Sequence, residues 1–460
     1  MNKSRFKHWI PALNEVGRQP AYLLIADLIA SDLDRGLLQP RDKLPTLRDL
    51  ASDLELNYTT VARAYNEARA RGLIDTHPGR GTFVRGQTSS RTPTDGSDVQ
   101  MTMNSPPEPQ NLELQRKINH GFQRLANAPD VYAMFRYQDF GGQNTDKEAG
   151  LKLLSRLIEK PKRENILVCP GIHSILVGLL SQLADERSIV CAQNLTYPGL
   201  KAIAAQLGIT LYSMTCDNEG PLIRPLEEYC KKERVAAFHL NPTIQNPTAF
   251  TMSRSRRESI AQLALKYSIP IIEDDAYGFL PEKPVSPIAN LAPELTYYIN
   301  GLAKCFGAGI RTAYLHAPNK QAANRFAGTM RSLSVMASSV TTALATGWIM
   351  DDTFDQMASE IRKESSKRYQ IAQKHLSDFK FNADPEGFHL WLSLPKTAKI
   401  SAPKFAENAR GTGINAVASA AFCTDNNPPD AIRICLGGAS NLEQCEDSVL
   451  SLKRALNDLI

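Results

Sequence analysis

Asp274, Tyr277, Lys304 and Arg311 are the residues of this sequence whose types and spacing converge on one chemistry. Asp274 and Asp275 close a short apolar run, Ile271-Ile272, and Tyr277 follows two residues later. A second apolar run, Thr296 to Asn300, leads into Gly301, Lys304 and Arg311. Two strands that each end in polar groups place those groups along the carboxyl edge of a mostly parallel sheet, where α/β proteins bind ligands. At such an edge a lysine can form a Schiff base, an acid can pair with a pyridinium nitrogen, and an arginine can hold a phosphate. Those are the needs of pyridoxal 5'-phosphate (PLP). Residue type alone leaves Asp274 and its neighbour Asp275 as competitors for the acid.

The elements around these residues read as α/β from about residue 110 onward, because helical and strand patterns alternate. Expected strands are Ile166–Val168, Ser188–Gln193, Thr210–Met214 and Val235–Leu240, with helices over 143–160, 175–183 and 200–207. Cys169-Pro170-Gly171-Ile172-His173 is a strand–turn–helix junction of the kind that cradles phosphate with backbone N–H groups. Tyr197 sits at the end of one strand, and Asn246 lies in the turn Gln245-Asn246-Pro247-Thr248 after another. After Arg311 the chain turns helical across 319–357 and 360–378. It then closes with a smaller α/β unit containing Phe388–Leu392, a helix over 403–411, Ile414–Val417 and Ala431–Cys435.

Residues 20–84 stand apart. Tyr22, Ile25, Leu28, Ile29 and Leu33 fall at helical spacing. Thr46 is placed as the N-cap of a short second helix, and a third begins at Tyr58 and stops at Gly72. Residues 73–84 read as a hairpin around Pro78-Gly79-Arg80-Gly81. Two short helices and a basic hairpin suit a winged helix-turn-helix whose third helix enters the major groove. The pattern alone suits equally a small packing module with a solvated arginine face. Between this region and the α/β part, GQTSSRTPTDGSDVQ and SPPEP form a flexible linker over 86–109.

Bulk properties agree with a multidomain soluble chain. There are 460 residues, 42% hydrophobic and 22% charged, with net charge +5. The charge permits nucleic-acid contact without arguing for it. Cysteines 169, 191, 216, 230, 305, 423, 435 and 445 include no C-x-x-C pair, so neither a metal site nor a disulfide framework is expected, and a reducing cytoplasm fits. The opening MNKSRFKHWIPALNEVG lacks the apolar run of a signal peptide, and no stretch suggests a membrane anchor.

Particular blocks carry resemblances. Leu44-Pro45-Thr46-Leu47-Arg48-Asp49-Leu50-Ala51, Thr60-Val61-Ala62-Arg63-Ala64-Tyr65, Gly72-Leu73-Ile74 and Gly79-Arg80-Gly81-Thr82-Phe83-Val84 resemble the GntR family of bacterial regulators. That resemblance implies a DNA-binding domain over 15–85. Thr46 and Arg48 would meet phosphates, Asn57, Tyr58, Thr59, Thr60 and Arg63 would lie in the groove, and Arg80 and Gly81 would lie on the wing. The ordered set from Gly171 to Arg433 resembles the fold-type I aminotransferases, which implies a PLP-binding domain over 110–460 with a large, mostly parallel sheet and a small α/β part. Together the chain resembles a MocR-type regulator of the GntR family.

By that resemblance Lys304 forms the Schiff base, Asp274 pairs with the ring nitrogen, and Tyr277 and Asn246 hydrogen-bond the phenolic oxygen. Arg311 binds the phosphate together with the Gly171, Ile172 and His173 loop. Tyr197 stacks on the ring, Arg433 grips a substrate carboxylate, and Tyr137 reaches the cofactor of a partner subunit. The family often has a hydroxyl residue where this chain has Gly301, a serine at Ala303, a small or hydroxyl residue at Ile172 and a glycine at Ala249. The first three departures weaken phosphate contacts and imply weak transaminase turnover. The expectation is a cytoplasmic, homodimeric regulator that binds a double-stranded DNA operator and senses PLP or an amino compound by aldimine exchange at Lys304. The alternative is a working aminotransferase with a secondary DNA-binding role.

Overall fold

The computed structural model describes residues 6–14, 20–34, 37–38, 42–71, 73–77, 81–84, 103–185, 187–398, 400–409, 413–414, 416–425 and 427–459. They fall into two units, Met1–Gly96 and Ser97–Ile460.

In the first unit, helices Ala21–Asp34, Leu47–Asp53 and Tyr58–Ala70 face one another through Ile25, Ile29, Leu50, Leu54, Val61, Ala64 and Tyr65. Thr46 Oγ1 accepts from the Asp49 N–H at 3.2 Å, and Asn57 Oδ1 from the Thr59 N–H at 3.0 Å. Each cap satisfies a first-turn donor and is worth about 1 kcal/mol. Strands Ile74–His77 and Gly81–Val84 pair antiparallel, with Ile74 opposite Val84. Residues 42–44 line the second strand, since the Leu44 N–H donates to Thr82 O and the Val84 N–H to Asp42 O. This is the winged helix-turn-helix. Its core also takes in Phe6 and Trp9, ahead of the expected start at 15, and Trp9 Nε1 donates to the buried Asp32 Oδ2 at 2.8 Å.

The second unit is built on a seven-stranded sheet. Its order is Ile166–Cys169, Ala313–His316, Thr296–Gly301, Ile271–Asp274, Val235–Leu240, Ile189–Gln193 and Thr210–Met214. Only Ala313–His316 runs against the rest. Helices cover both faces, which is why strands such as Ile166–Cys169 are apolar and buried along their length. Along Ile271-Ile272, for example, the first side chain packs with Phe238, Leu240 and Ile260, and the second with Ala237, Tyr297 and Ile299. A second, antiparallel sheet orders Phe381–Ala383, His389–Ser393, Ala431–Cys435 and Val417–Ala418.

Several boundaries move. The helix expected over 143–160 ends at Leu154, and the one expected from 175 begins at Ile172. The pattern across 319–357 resolves into helices Lys320–Ser334 and Ser339–Met350 and the first turn of Thr353–Leu376. Helix Leu112–Ala126, absent from the sequence reading, lies against Trp348, where a Cβ on Gly121 would stand 2.4 Å from the indole nitrogen. Within the expected linker, Asn104, Pro106 and Pro107 are buried, so the second unit is already packed several residues before 110.

Candidate functional site

A cavity of about 370 Å³ opens at the carboxyl edge of the large sheet. Its walls bring together Gly171, Ile172, His173, Tyr197, Asn246, Asp274, Tyr277, Lys304, Arg311 and Arg433. Residues from Gly171 to Arg311 meet because parallel strands deliver their ends to one side, and Arg433 joins them from strand Ala431–Cys435 of the smaller sheet. A larger, open hollow of about 810 Å³ beside Phe250, Tyr369 and Phe379 contains none of them.

Asp274 ends strand Ile271–Asp274, opposite Ile299 of the neighbouring strand. It is buried, its Oδ1 has no hydrogen-bond partner among the described residues, and Oδ2 lies 3.8 Å from Nε2 of the fully buried His239. Asp275 points elsewhere: its Oδ2 accepts from Tyr298 Oη at 2.7 Å, and it does not line the cavity. A period-two strand sends consecutive side chains to opposite faces, which separates the two acids. Asn241 fixes this corner, donating from Nδ2 to Asp274 O at 2.7 Å and accepting the Asn246 N–H at 2.8 Å.

Lys304 sits in a short helix, Ala303–Phe306, after strand Thr296–Gly301. Burial lowers its pKa from 10.5 to about 8; Cys435 and Asp274 push it back up, while Arg433 and Arg311 lower it further. Its Nζ lies 5.8 Å from the centre of the Tyr277 ring. The Tyr277 phenol is pushed up, first by burial. Arg433 is buried, donates from Nη1 to Asn246 Oδ1 at 3.1 Å, and lies over Phe422.

Gly171 takes φ +93° just before helix Ile172–Leu183, and a Cβ there would face Arg311 Nε at 3.5 Å. The helix start and the guanidinium thus flank one corner, a combination suited to an anion. Burial and then Arg311 lower the His173 pKa. Gly199 leaves space for the Tyr197 ring, since a Cβ would stand 2.2 Å from it. Ile172 fills the space above Gly301, where a Cβ would lie 2.9 Å from Ile172 Cγ1. The two departures from the family pattern are therefore one packing contact.

Tyr137 does not join this cavity; it is 87% exposed. Asn104, Asn241, Thr312, Phe422 and Val417 line the cavity and were not singled out from sequence. Asn241 had a signal, standing before Pro242 at the end of its strand. Asn104 falls where the expected linker returns to ordered structure, and nothing in its sequence pointed to the cavity.

In the first unit Thr46, Arg48, Asn57, Tyr58, Thr59 and Arg63 are solvent-exposed, with Thr60 half-buried. Asn57 to Arg63 start helix Tyr58–Ala70, and the Arg63 guanidinium lies 5.3 Å over the Tyr22 ring. Gly81 takes φ +113° beside the Lys43 stem. Arg80 lies outside the described residues.

Fold and cavity together define a class: a fold-type I, aminotransferase-like domain behind a winged helix-turn-helix. Residues 100–449 match the family model for aminotransferase class I and II, and residues 21–84 that for bacterial regulatory proteins of the gntR family. The chain belongs to the aminotransferase class I and II family and carries a GntR DNA-binding domain in front, as in MocR-type regulators. It is homologous to HTH-type transcriptional regulators. The uncharacterized regulator YdeF of Bacillus subtilis is 27% identical over 98% of this chain and 97% of its own. The vitamin B6 salvage pathway transcriptional repressor PtsJ of Salmonella typhimurium is 23% identical over 84% of this chain and 88% of its own. Among solved structures, the α-aminoadipate aminotransferase LysN of Thermus thermophilus superposes with TM-score 0.70 at 20% identity, covering 78% of this chain and 91% of that one, which shows the fold.

Proposed function

We propose that this regulator binds PLP on Lys304 and senses PLP, or an amino compound through it, to change its affinity for a double-stranded DNA operator. The observation that carries the reading is the cavity, where a buried amine of pKa about 8 and an unpartnered buried carboxylate oxygen share one wall set with an arginine-flanked helix start. The residues fit the group. Asp274 would meet the ring nitrogen, Tyr277 and Asn246 the phenolic oxygen, Tyr197 the ring face, and Arg311 with Gly171, Ile172 and His173 the phosphate. When bound, PLP supplies an aldehyde that a primary amine can join and an electron-withdrawing ring. Arg433 would hold an effector carboxylate through its guanidinium fork. PtsJ, by its name a vitamin B6 repressor, lends the same reading support.

A ligand shifts DNA affinity only by favouring one arrangement of the protein over another. The test is direct. Added PLP raises a visible absorbance band in the full chain that Lys304→Ala lacks, and an operator footprint changes with PLP; no band in the wild type overturns the reading. The intact Lys304, Asp274 and Arg433 favour a second reading, a working transaminase, for which keto-acid formation beyond one equivalent per chain is the measure. The Ile172–Gly301 contact, apolar where a phosphate-binding hydroxyl is usual, favours the regulator.

A homodimer is part of the proposal. Val131, Tyr132, Phe135 and Tyr137 form an exposed apolar stretch, with Tyr132 69% and Phe135 70% exposed, of the kind that a second subunit covers. Operator binding places the protein in the cytoplasm. Among the described residues, no helix is long and apolar enough to cross a membrane.

A further inference from the structure

The segment Met103–Pro107 enters the cavity beside Lys304 and is held there from several sides. Lys304 Nζ donates to the backbone oxygen of Asn104 at 2.5 Å. The Asn104 side chain donates from Nδ2 to Tyr277 Oη at 2.6 Å and to His389 Nδ1 at 3.2 Å. The direction of the last bond follows from the other ring nitrogen. His389 Nε2 lies 3.1 Å from Gln245 O, which can only accept, so Nε2 carries the proton and Nδ1 is the acceptor. Cys435 Sγ donates to Ser105 O at 3.4 Å. Gly437 is bare for the same reason: a Cβ there would stand 2.1 Å from Ser105 O.

The bond from Lys304 to Asn104 differs from the others because its donor is consumable. Lys304 can hold the Asn104 carbonyl only while its nitrogen keeps a hydrogen aimed that way. Condensation with an aldehyde forms a C=N bond, and both hydrogens of the neutral amine leave with the aldehyde oxygen as water. The Asn104 carbonyl, in a buried residue, then loses this donor. The same segment follows directly in sequence on the Ser-, Thr- and Gly-rich stretch that joins the two units.

We propose that Asn104 reads the chemical state of Lys304: the free amine latches Met103–Pro107 into the cavity, and an engaged amine releases it. The inference rests on the reading that Lys304 is the residue that engages PLP. It adds the point at which that event reaches the joining stretch. Of the several contacts that hold the segment, this is the one a ligand removes, which makes the segment an element that the ligand can bias.

The test is hydrogen–deuterium exchange on the full-length protein, read in peptides covering residues 103–110. Four samples are compared: PLP-free wild type, wild type with PLP, and PLP-free Lys304→Ala and Lys304→Met. The Met variant keeps the apolar stem without the donor. Helix Thr353–Leu376 serves as the folding control. Exchange in the segment is expected to speed several-fold in both variants, and in the wild type once PLP raises its visible band, with the control helix unchanged. Unchanged exchange in both variants overturns the latch, as does a visible band accompanied by unchanged or slower exchange in the segment. If no band appears, the PLP reading fails, and the latch itself still stands or falls on the two variants.

Discussion

Lys304 is chemically prepared by its burial. A lysine at its ordinary 10.5 is almost wholly protonated near neutral pH, whereas at about 8 roughly a tenth of it is the neutral nucleophile at pH 7. The rate of PLP capture is therefore expected to climb with pH and level off above about 8, where capture by an exposed lysine would keep climbing; stopped-flow absorbance across pH 6 to 10 checks it. The folded pKa lies below the ordinary one, so the charged form costs stability below about pH 8, and that cost fades as pH rises toward 10.5. His389 works at the acid end. Burial, then Arg433, lowers it to about 3, and it stays neutral in the fold. Stability is thus lost as pH falls from 6.5 toward 3, because the unfolded chain takes up the proton first. Thermal melts of His389→Gln should show a shallower fall over that window than the wild type. Of the site residues, those at strand ends were readable from sequence. Residue type left Asp274 and Asp275 open and the family resemblance favoured Asp274; the structure adds that Asp274 alone lines the cavity, and Asn104 needed its contacts.

Among the elements, the junction between strand Thr296–Gly301 and helix Ile172–Leu183 shows how two unusual residues depend on each other. Gly301→Ser alone should destabilise the domain by about 1–3 kcal/mol, since its Cβ would press on Ile172. Adding Ile172→Ser should recover part of that loss, and a double-mutant cycle by urea denaturation measures the coupling. Strands Thr210–Met214 and Val235–Leu240 fall where the sequence pattern places them; Phe238 to Leu240 are buried inside the sheet, whereas Thr210–Met214 is an edge strand buried only at Met214. The helical run 319–357 was harder. Amphipathic period continues through it, but the backbone turns at Val335 (φ +62°) and Asp352 (φ +63°), and Ser338 caps a new helix. These breaks use residues without a glycine or proline signal. Trp9 was likewise hidden, as an aromatic in a short segment without an extended helical pattern.

At the scale of the molecule, DNA binding and ligand sensing make separable predictions. Arg63→Ala should weaken operator binding by about 1–3 kcal/mol and relax specificity, while Arg48→Ala should weaken all sequences alike and reduce the salt slope by about one; fluorescence anisotropy over a salt series separates the two. Phe135→Glu should shift a dimer toward monomer in sedimentation, since a buried unpaired carboxylate is costly.

The two-part organisation was determined by the sequence itself. Caps, hairpin and apolar periodicity in residues 20–84 are local signals, and the runs ending at Asp274 and Gly301 mark sheet edges without any tertiary knowledge. Tertiary structure alone decided what those edges enclose. It set Asp274 toward the cavity and Asp275 away, put Ile172 over Gly301, and drew Asn104 out of an apparent linker onto the Lys304 amine. The physical reason is range. Capping and periodicity act over a few residues, whereas the cavity includes contacts between residues as far as two hundred positions apart, which only the folded domain brings together.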